Sequence, residues 1–108
     1  MTFQLGAALL DACVLAILNK SDEYGYALTQ KVTEVVTLSE STLYPVLRRL
    51  QKDNLLTVYD SQFNGRNRRY YAISELGKEK LKGYISEWEI YKNNLDKILL
   101  GGIENGQE

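Results

Sequence analysis

An Asn-Gly pair at positions 64 and 65 limits the possible folds of this 108-residue chain more than any other feature. The pair separates two runs rich in β-branched and aromatic residues, "LLTVYDSQF" and "RRYYAI". Both residues tolerate the positive φ angles of a tight hairpin turn, so the pattern predicts two antiparallel strands joined by a loop of two or more residues. The rest of the chain has helical periodicity, which predicts that this small hairpin is the main β element.

The N-terminal part of the chain predicts two helices with a turn between them. The first covers about residues 6–19 and is apolar on nearly every side, which is typical of a helix covered by several neighbours. The residues "NKSDEYG" that follow are expected to form a turn. The second helix covers about residues 24–36, and its inward residues are expected to be Tyr26 or Ala27, Val32 and Val35.

The segment "TLSESTLYPVLRRLQKDN" predicts a third helix, which begins at Ser39 or Ser41 because serine side chains cap helix N-termini. Pro45 falls in the first turn if Ser41 is the cap, and inside a bent helix if Ser39 is the cap. Asn54 tolerates left-handed backbone geometry and marks the end of the helix. The apolar residues have the i, i+3, i+4, i+7 spacing of one buried face: Leu43, Val46, Leu47 and Leu50.

A fourth and longer helix follows the hairpin, from Ser74 as its N-cap to about Leu100. The order helix, helix, helix, hairpin, helix predicts a mainly α fold with a small β-hairpin, namely a winged helix-turn-helix with a long C-terminal dimerisation helix. We expect the winged helix-turn-helix in residues 1–73, the dimerisation helix in residues 74–100 and a flexible tail in residues 101–108.

All five arginines lie between positions 48 and 69 of a chain whose net charge is −1. This stretch has six cations and two anions, while the remainder has seven cations and twelve anions. On a helical wheel, the polar and cationic side of the third helix lies opposite its leucines, and the hairpin adds three more arginines. One basic surface of this kind indicates DNA binding, and solvated charges without a partner are the alternative. The expected DNA-binding residues are Ser41, Thr42, Tyr44, Arg48, Arg49, Lys52, Arg66, Arg68 and Arg69.

The residue content argues against an enzyme. The chain has no histidine and one cysteine, so it cannot build a zinc site or a Cys–His or Ser–His catalytic pair, and no cofactor is expected. Cys13 cannot form a disulfide within the chain, which suits a reducing cytoplasm. The apolar run at residues 5–18 is too short to span a bilayer as a helix. We therefore expect a cytoplasmic protein without a membrane segment.

The last helix carries apolar residues at alternating spacings of three and four, the pattern of a helix that packs against another helix. A helix of this length exposes more apolar surface than one small domain can cover, so the pattern predicts a homodimer. The middle of the stripe is aromatic, which is explained either by plain dimer packing or by a slot for a planar aromatic ligand. The stripe consists of Leu81, Tyr84, Trp88, Tyr91, Leu95 and Ile98.

Three stretches, "YGYALTQ", "TLYPVLRRLQKDNLL" and "GRNRRYYAISELGKEKL", are similar to the PadR family of bacterial transcriptional regulators. The resemblance covers about residues 8–98, and the single long final helix resembles the compact subfamily. Asn54 stands where the family often has glycine, and Ser74 stands where threonine is common. Both substitutes are compatible with the same geometry.

The resemblance implies a transcriptional repressor whose third helix reads the major groove, whose wing contacts the backbone or the minor groove, and whose last helix dimerises. A two-fold dimer implies an inverted-repeat operator in double-stranded DNA. Members of the family respond to phenolic acids or lipophilic drugs, so the resemblance also supports a slot for an aromatic ligand. The alternative function is a winged-helix module that binds an acidic protein partner through its basic wing.

Overall fold

The computed structural model describes residues 6–101. Within this range the chain forms α1 (Ala7–Lys20), β1 (Glu23–Tyr24), α2 (Gly25–Thr33), α3 (Glu40–Lys52), β2 (Leu56–Phe63), β3 (Arg66–Ile73) and α4 (Glu75–Leu99). The winged helix-turn-helix followed by one long helix is confirmed. Of the expected C-terminal tail, residues 102–108 lie outside the described residues.

β2 and β3 form the hairpin that the Asn-Gly pair predicts. Their antiparallel register is continuous over all eight residues of each strand. Only Asn64 and Gly65 lie between the strands, with φ angles of 51° and 77°. Positive φ at both positions gives the tight turn whose twist matches that of the strands. The wing is therefore a regular two-stranded ribbon with a two-residue loop.

The sheet has a third strand, β1, where the sequence predicts only a turn. Glu23 and Tyr24 pair antiparallel with Tyr71 and Tyr70, so the strand order is β1-β3-β2. The buried Glu23 carboxylate accepts a hydrogen bond from Lys31 Nζ at 2.6 Å, which ties β1 to α2. A strand of two residues has no periodic pattern, and this explains why the expectation of a plain turn was wrong.

α2 is shorter than the sequence predicts and ends at Thr33. Val32 is buried as expected, and Ala27 is the inward residue of the two candidates because Tyr26 is 58% exposed. The expectation for Val35 is wrong, since this side chain is 84% exposed in the turn after the helix. The run "VTEVVT" is rich in β-branched residues, which have low helix propensity, and this explains the early end of α2.

α3 begins after the N-cap Ser39, which decides between the two caps expected from the sequence. Pro45 therefore lies inside the helix, where it cannot donate a hydrogen bond to the Ser41 carbonyl. Asn54 follows the helix with a φ of 65°, the left-handed geometry expected of a helix stop. The buried face of α3 consists of Leu43, Leu47 and Leu50, with Val46 packed against it.

The start of α4 is held against the hairpin and the end of α3. The Ser74 hydroxyl accepts a hydrogen bond from the Gly77 amide at 2.9 Å and donates to the Asn54 carbonyl at 2.7 Å. The Ser74 amide donates to the Leu55 carbonyl at 3.0 Å. A Cβ at position 77 would collide with that carbonyl and with Ile73. α4 therefore packs directly on the winged unit, and no linker separates the two.

One hydrophobic core joins the helices to the hairpin. α4 enters this core with Leu81, which is 4% exposed, and then continues for about 27 Å at the usual rise of a helix. The core residues are Leu10, Val14, Leu15, Leu18, Leu28, Val32, Leu43, Leu47, Leu50, Leu55, Leu56 and Leu81. The distal part of α4 therefore projects from the winged unit.

Candidate nucleic-acid interface

The outward face of α3 is polar at its start and cationic further along. Ser41, Thr42, Arg48 and Lys52 are all exposed, on the side opposite the buried leucines. The Ser39 hydroxyl lies 2.9 Å from Ser41 Oγ and 3.1 Å from Thr42 Oγ1, and it makes no capping hydrogen bond to an amide. Hydroxyl groups at a helix N-terminus suit phosphate oxygens, and exposed cations one or two turns on can reach phosphates or base edges.

Tyr44 lies at the junction of α2, α3 and the wing. It is 38% exposed, and its hydroxyl oxygen is 4.0 Å from where a Cβ on Gly25 would lie. The same Cβ would be 3.7 Å from the Tyr71 ring, an ordinary contact distance, so both tyrosines lie beside the start of α2. The Tyr44 hydroxyl thus lies toward the start of α2, and the side chain stays partly exposed.

The arginines of the wing are divided between the two faces of the hairpin. Side chains alternate along β3, so Arg69 shares a face with Tyr71 and Ile73, which pack on the core. Burial raises the pKa of Tyr71, and the charges of Arg69 and Arg48 oppose that rise because both lie near its hydroxyl. Arg69 Nε is also 3.9 Å from Asp60 Oδ1, an exposed contact of small energy. Arg69 therefore lies on the α3 side of the wing.

Arg68 and Arg66 lie on the opposite, outer face of the hairpin. The Arg68 guanidinium lies 4.1 Å from the ring centroid of Tyr24 and 4.3 Å from that of Phe63, and its side chain is half-buried. Arg66 is exposed at the hairpin tip. Cation–π contacts fix the Arg68 head group, whereas Arg66 is held only by its backbone.

The outer face of the wing carries an aromatic cluster that was not expected from the sequence. The rings of Tyr59 and Tyr70 are stacked with centroids 5.5 Å apart, and Tyr24 meets Tyr70 edge-on at 5.9 Å. The Tyr59 hydroxyl donates to Asp22 Oδ2 at 2.6 Å. The sequence signal for this cluster was the placing of aromatic residues at alternate positions of two facing strands, because such residues share one face of a hairpin. The cluster consists of Tyr24, Tyr26, Tyr59, Phe63 and Tyr70.

Arg49 points away from the outward face of α3. Its Nη2 donates to Asp11 Oδ1 of α1 at 2.6 Å, and the Asp11 side chain is only 6% exposed. This hydrogen bond raises the pKa of Arg49 above its usual value. The structure thus separates Arg49 from the other cations expected to bind DNA and gives it a partner within the chain.

A groove between α1 and α4 lies apart from the basic surface. Of the residues expected at a dimer interface, Leu81 is buried in the core of its own chain, while Tyr84 and Leu95 are half-buried. Trp88, Tyr91 and Ile98 are 38%, 53% and 77% exposed. Burial raises the pKa of the Cys13 thiol at the groove. The α1–α4 groove is lined by Leu9, Ala12, Cys13, Ala16, Leu81, Tyr84, Ile85 and Trp88.

Residues 6–101 show neither a candidate metal site nor a candidate membrane span. No group of three or more acidic, cysteine or histidine side chains in this range could hold a metal ion. None of the described helices is long and apolar enough to cross a membrane.

A three-helix unit with a basic third helix, followed by a two-stranded wing, defines the winged helix-turn-helix class of DNA-binding proteins. Residues 14–83 match the family model described as the transcriptional regulator PadR-like family. The chain therefore belongs to the PadR-like family of transcriptional regulators. Regulators of this family bind DNA, are typically dimers and are not enzymes.

The chain is similar over most of its length to several proteins, one of which is named as a PadR family regulator. A Streptococcus mutans protein of known crystal structure is 37% identical, with a TM-score of 0.88, over 95% of this chain and 97% of its own. A PadR family transcription regulator from Clostridium difficile is 34% identical, with a TM-score of 0.77, over 83% of this chain and 97% of its own. An uncharacterized protein of Lysinibacillus sphaericus is 32% identical over 88% of this chain and 91% of its own.

Proposed function

We propose that the chain is a cytoplasmic transcriptional repressor that binds an inverted-repeat operator as a homodimer. The observation that carries this proposal is the grouping of cations on one side of the molecule. Arg48 and Lys52 lie on the outward face of α3, and Arg69 lies on the face of the wing toward α3. These side chains belong to residues 48–69, where six cations face two anions, while the rest of the chain has seven cations and twelve anions, and this contrast favours a polyanion as partner.

In the proposed complex α3 enters the major groove. Ser41, Thr42 and the α3 N-terminus bind phosphates, and Tyr44 adds its hydroxyl at the same edge. Arg48 lies further along the outward face, where an arginine reaches guanine edges. Lys52 and Arg69 neutralise the backbone on this surface, and Arg66 and Arg68 add charge from the outer face of the wing.

The proposed division of the chain assigns DNA binding to residues 1–73 and dimerisation to residues 74–100. Support for the second part comes from Trp88, Tyr91 and Ile98, apolar residues on one stripe of α4 that the chain itself leaves exposed. A second copy of the same helix, or of α1, would cover this stripe. Two copies related by a two-fold axis would read half-sites whose centres are about 10 bp apart or a multiple of that.

The aromatic middle of the α4 stripe supports two proposals for its use. The rings of Trp88 and Tyr91 are 6.2 Å apart, and Tyr84 and Trp88 line the α1–α4 groove. Plain packing between two copies would fill this space with the rings themselves. A planar aromatic effector would lie between the rings of the two subunits, and its differential affinity for two arrangements of the dimer would alter operator binding.

The outer face of the wing favours one alternative function. Its exposed tyrosines and phenylalanine, together with Arg66 and Arg68, have the composition of a protein interface. A protein-interaction module would use this face to bind an acidic partner. The two functions differ in the role of duplex DNA, so one experiment separates them.

The test replaces Arg66, Arg68 and Arg69 with alanine and measures binding to a duplex selected from random DNA. Each lost phosphate contact should flatten the log–log salt dependence of the affinity by about one unit. The control replaces Lys78, Lys82 and Lys97 of α4 with alanine, which changes the net charge equally at exposed positions outside the wing. Unchanged salt dependence in the wing variant would favour the protein-interaction module.

Arg48→Ala tests base readout separately from backbone binding. Its affinity for the selected duplex should fall by about 1–3 kcal/mol relative to random duplex, because a bidentate contact to guanine is lost. Lys52→Ala on the same face is the matched variant, and it should weaken both duplexes equally. Equal losses on both duplexes for Arg48→Ala would remove Arg48 from the readout role.

A further inference from the structure

One ion pair connects the candidate recognition helix to the first helix. Asp11 of α1 and Arg49 of α3 are 38 positions apart in sequence and 2.6 Å apart at Oδ1 and Nη2. The carboxylate side chain is 6% exposed and the arginine side chain 45% exposed. A buried carboxylate is costly unless it is paired, so this contact is strongly preferred once α1 and α3 are packed.

The pair also lies close to α4. Burial raises the pKa of the Tyr84 hydroxyl, the Asp11 carboxylate raises it further, and Arg49 opposes the rise. Tyr84 therefore neighbours both members of the pair, and it also lines the α1–α4 groove. The pair thus joins α3 to α1 and lies beside Tyr84 of α4, so it neighbours both helices on which the proposed dimer depends.

The contact differs in kind from the other contacts that hold α3. Leu43, Leu47 and Leu50 bury one side of the helix, but apolar packing is not directional. A charge-assisted hydrogen bond from a guanidinium to a buried carboxylate has a defined direction and length. Arg48, the preceding residue, lies about 100° away round the helix and is exposed, so the contact that fixes the rotation of Arg49 also sets the direction of Arg48.

We propose that the Asp11–Arg49 pair sets the orientation of α3 relative to α1 and α4, so that Arg49 is a positioning residue for operator recognition and not a DNA contact. The proposal rests on the proposed function as a dimeric operator-binding protein. In a two-fold dimer, the orientation of α3 relative to α1 and α4 determines how far apart and at what angle the two recognition helices lie. The pair therefore determines how strictly the dimer selects the spacing between half-sites.

The first variant is Asp11→Leu, which fills the buried position with an apolar side chain and leaves the half-exposed Arg49 free. We expect binding to the selected operator to weaken about tenfold, since α3 loses its directional contact. The preference for this operator over versions with one base pair inserted or removed between the half-sites should also shrink. A guanidinium that contacted DNA would be released by the same change, and binding would then stay equal or tighten.

The second variant is Asp11→Leu combined with Arg49→Met, which replaces the whole pair by apolar groups and leaves no buried charge. Its operator affinity, spacing preference and salt dependence should match those of Asp11→Leu alone. A salt slope flatter by about one unit in the double variant than in the wild-type chain would identify Arg49 as a phosphate contact and overturn the proposal. If the double variant recovered the wild-type spacing preference, the pair would only stabilise the fold. That result would also overturn the proposal.

The chain offers a matched control in the Lys31–Glu23 pair. Its atoms are also 2.6 Å apart, and its side chains are 50% and 11% exposed, but it connects α2 to β1. Glu23→Met combined with Lys31→Met should leave the spacing preference unchanged, and an equal loss there would contradict a specific role for Asp11 and Arg49. Sedimentation confirms that each variant is still a dimer. If the wild-type chain selects no duplex at all, the proposed function fails, and that result is distinct from every outcome above.

Discussion

The first turns of α4 pack against their own chain, whereas its distal part carries exposed apolar residues, although both belong to one continuous helix. Around Gly77 and Leu81 the helix is closed against the hairpin and the core of its own chain. Beyond Leu81, the chain leaves Trp88, Tyr91 and Ile98 exposed along one stripe. The first part serves the fold of one protomer, and the distal part has apolar surface available for another. Substitutions in the first part should therefore change the free energy of unfolding, and substitutions in the distal part should change dimerisation.

The largest effect is expected in the distal part. Trp88→Glu should convert the dimer to monomers in sedimentation and weaken operator binding by about 100-fold or more, because two linked half-sites become one. The tryptophan is 38% exposed in the protomer, so the monomer should keep its helical circular dichroism.

Ile90→Glu is the matched control for this substitution. Ile90 is 63% exposed on the side of α4 opposite Leu81, and the same change there should leave the dimer intact. A wild-type chain that sediments as a monomer at micromolar concentration would contradict the proposed role of the distal part.

The next largest effect is expected in the first part. Gly77→Ala should lower the free energy of unfolding by about 1–3 kcal/mol, because the added Cβ collides with the Leu55 carbonyl and Ile73. Gly83→Ala introduces the same methyl group where nothing lies within 4 Å of it. This second change should raise stability by about 0.5–1 kcal/mol, the usual gain in a helix interior. Chemical denaturation of both variants measures the contrast, and equal effects would mean that the two parts of α4 do not differ.

The smallest effect concerns a ligand at the α4 stripe. Trp88 is the only tryptophan of the chain, so its emission reports on this position alone. A planar aromatic compound between the subunits should quench that emission and alter operator affinity by the ratio of its affinities for the two dimer arrangements. Titration of a panel of such compounds, with and without operator DNA, measures both quantities. An unchanged emission with every compound would favour plain packing of the rings.

The elements with strong local signals could be predicted from the sequence. The hairpin follows from Asn64 and Gly65, whose positive φ angles need residues of these types. The buried face of α3 follows from leucines at helical spacing, since the same spacing places them on one side of any helix. Ser74 is the N-cap of α4 as expected, because its hydroxyl accepts a hydrogen bond from the Gly77 amide.

Contacts between distant positions could not be predicted in this way. Arg48 and Arg49 are neighbours of the same type, and although the helical wheel places Arg48 opposite the leucines and Arg49 beside that face, both positions were compatible with a DNA contact. The difference comes from Asp11, a residue of another helix that turns Arg49 inward. A lone carboxylate within the apolar run of α1 was the available signal, because a buried charge requires a partner. The sequence does not identify which of five arginines that partner is.

Because Ser74, Gly77 and Leu55 pack closely together, the length of α4 would set the spacing between the two winged units of the proposed dimer. A helix joined through a flexible linker would let two recognition elements adjust to operators of different lengths. Here the start of α4 is packed against the hairpin, so in the proposed dimer the number of residues between Leu81 and Trp88 would set the distance and the rotation between the two winged units. Adding one residue in this interval would advance the distal stripe by about 1.5 Å and turn it by about 100°. Relatives with a longer or shorter α4 would accordingly bind operators that differ in the spacing between half-sites, even with the same wing.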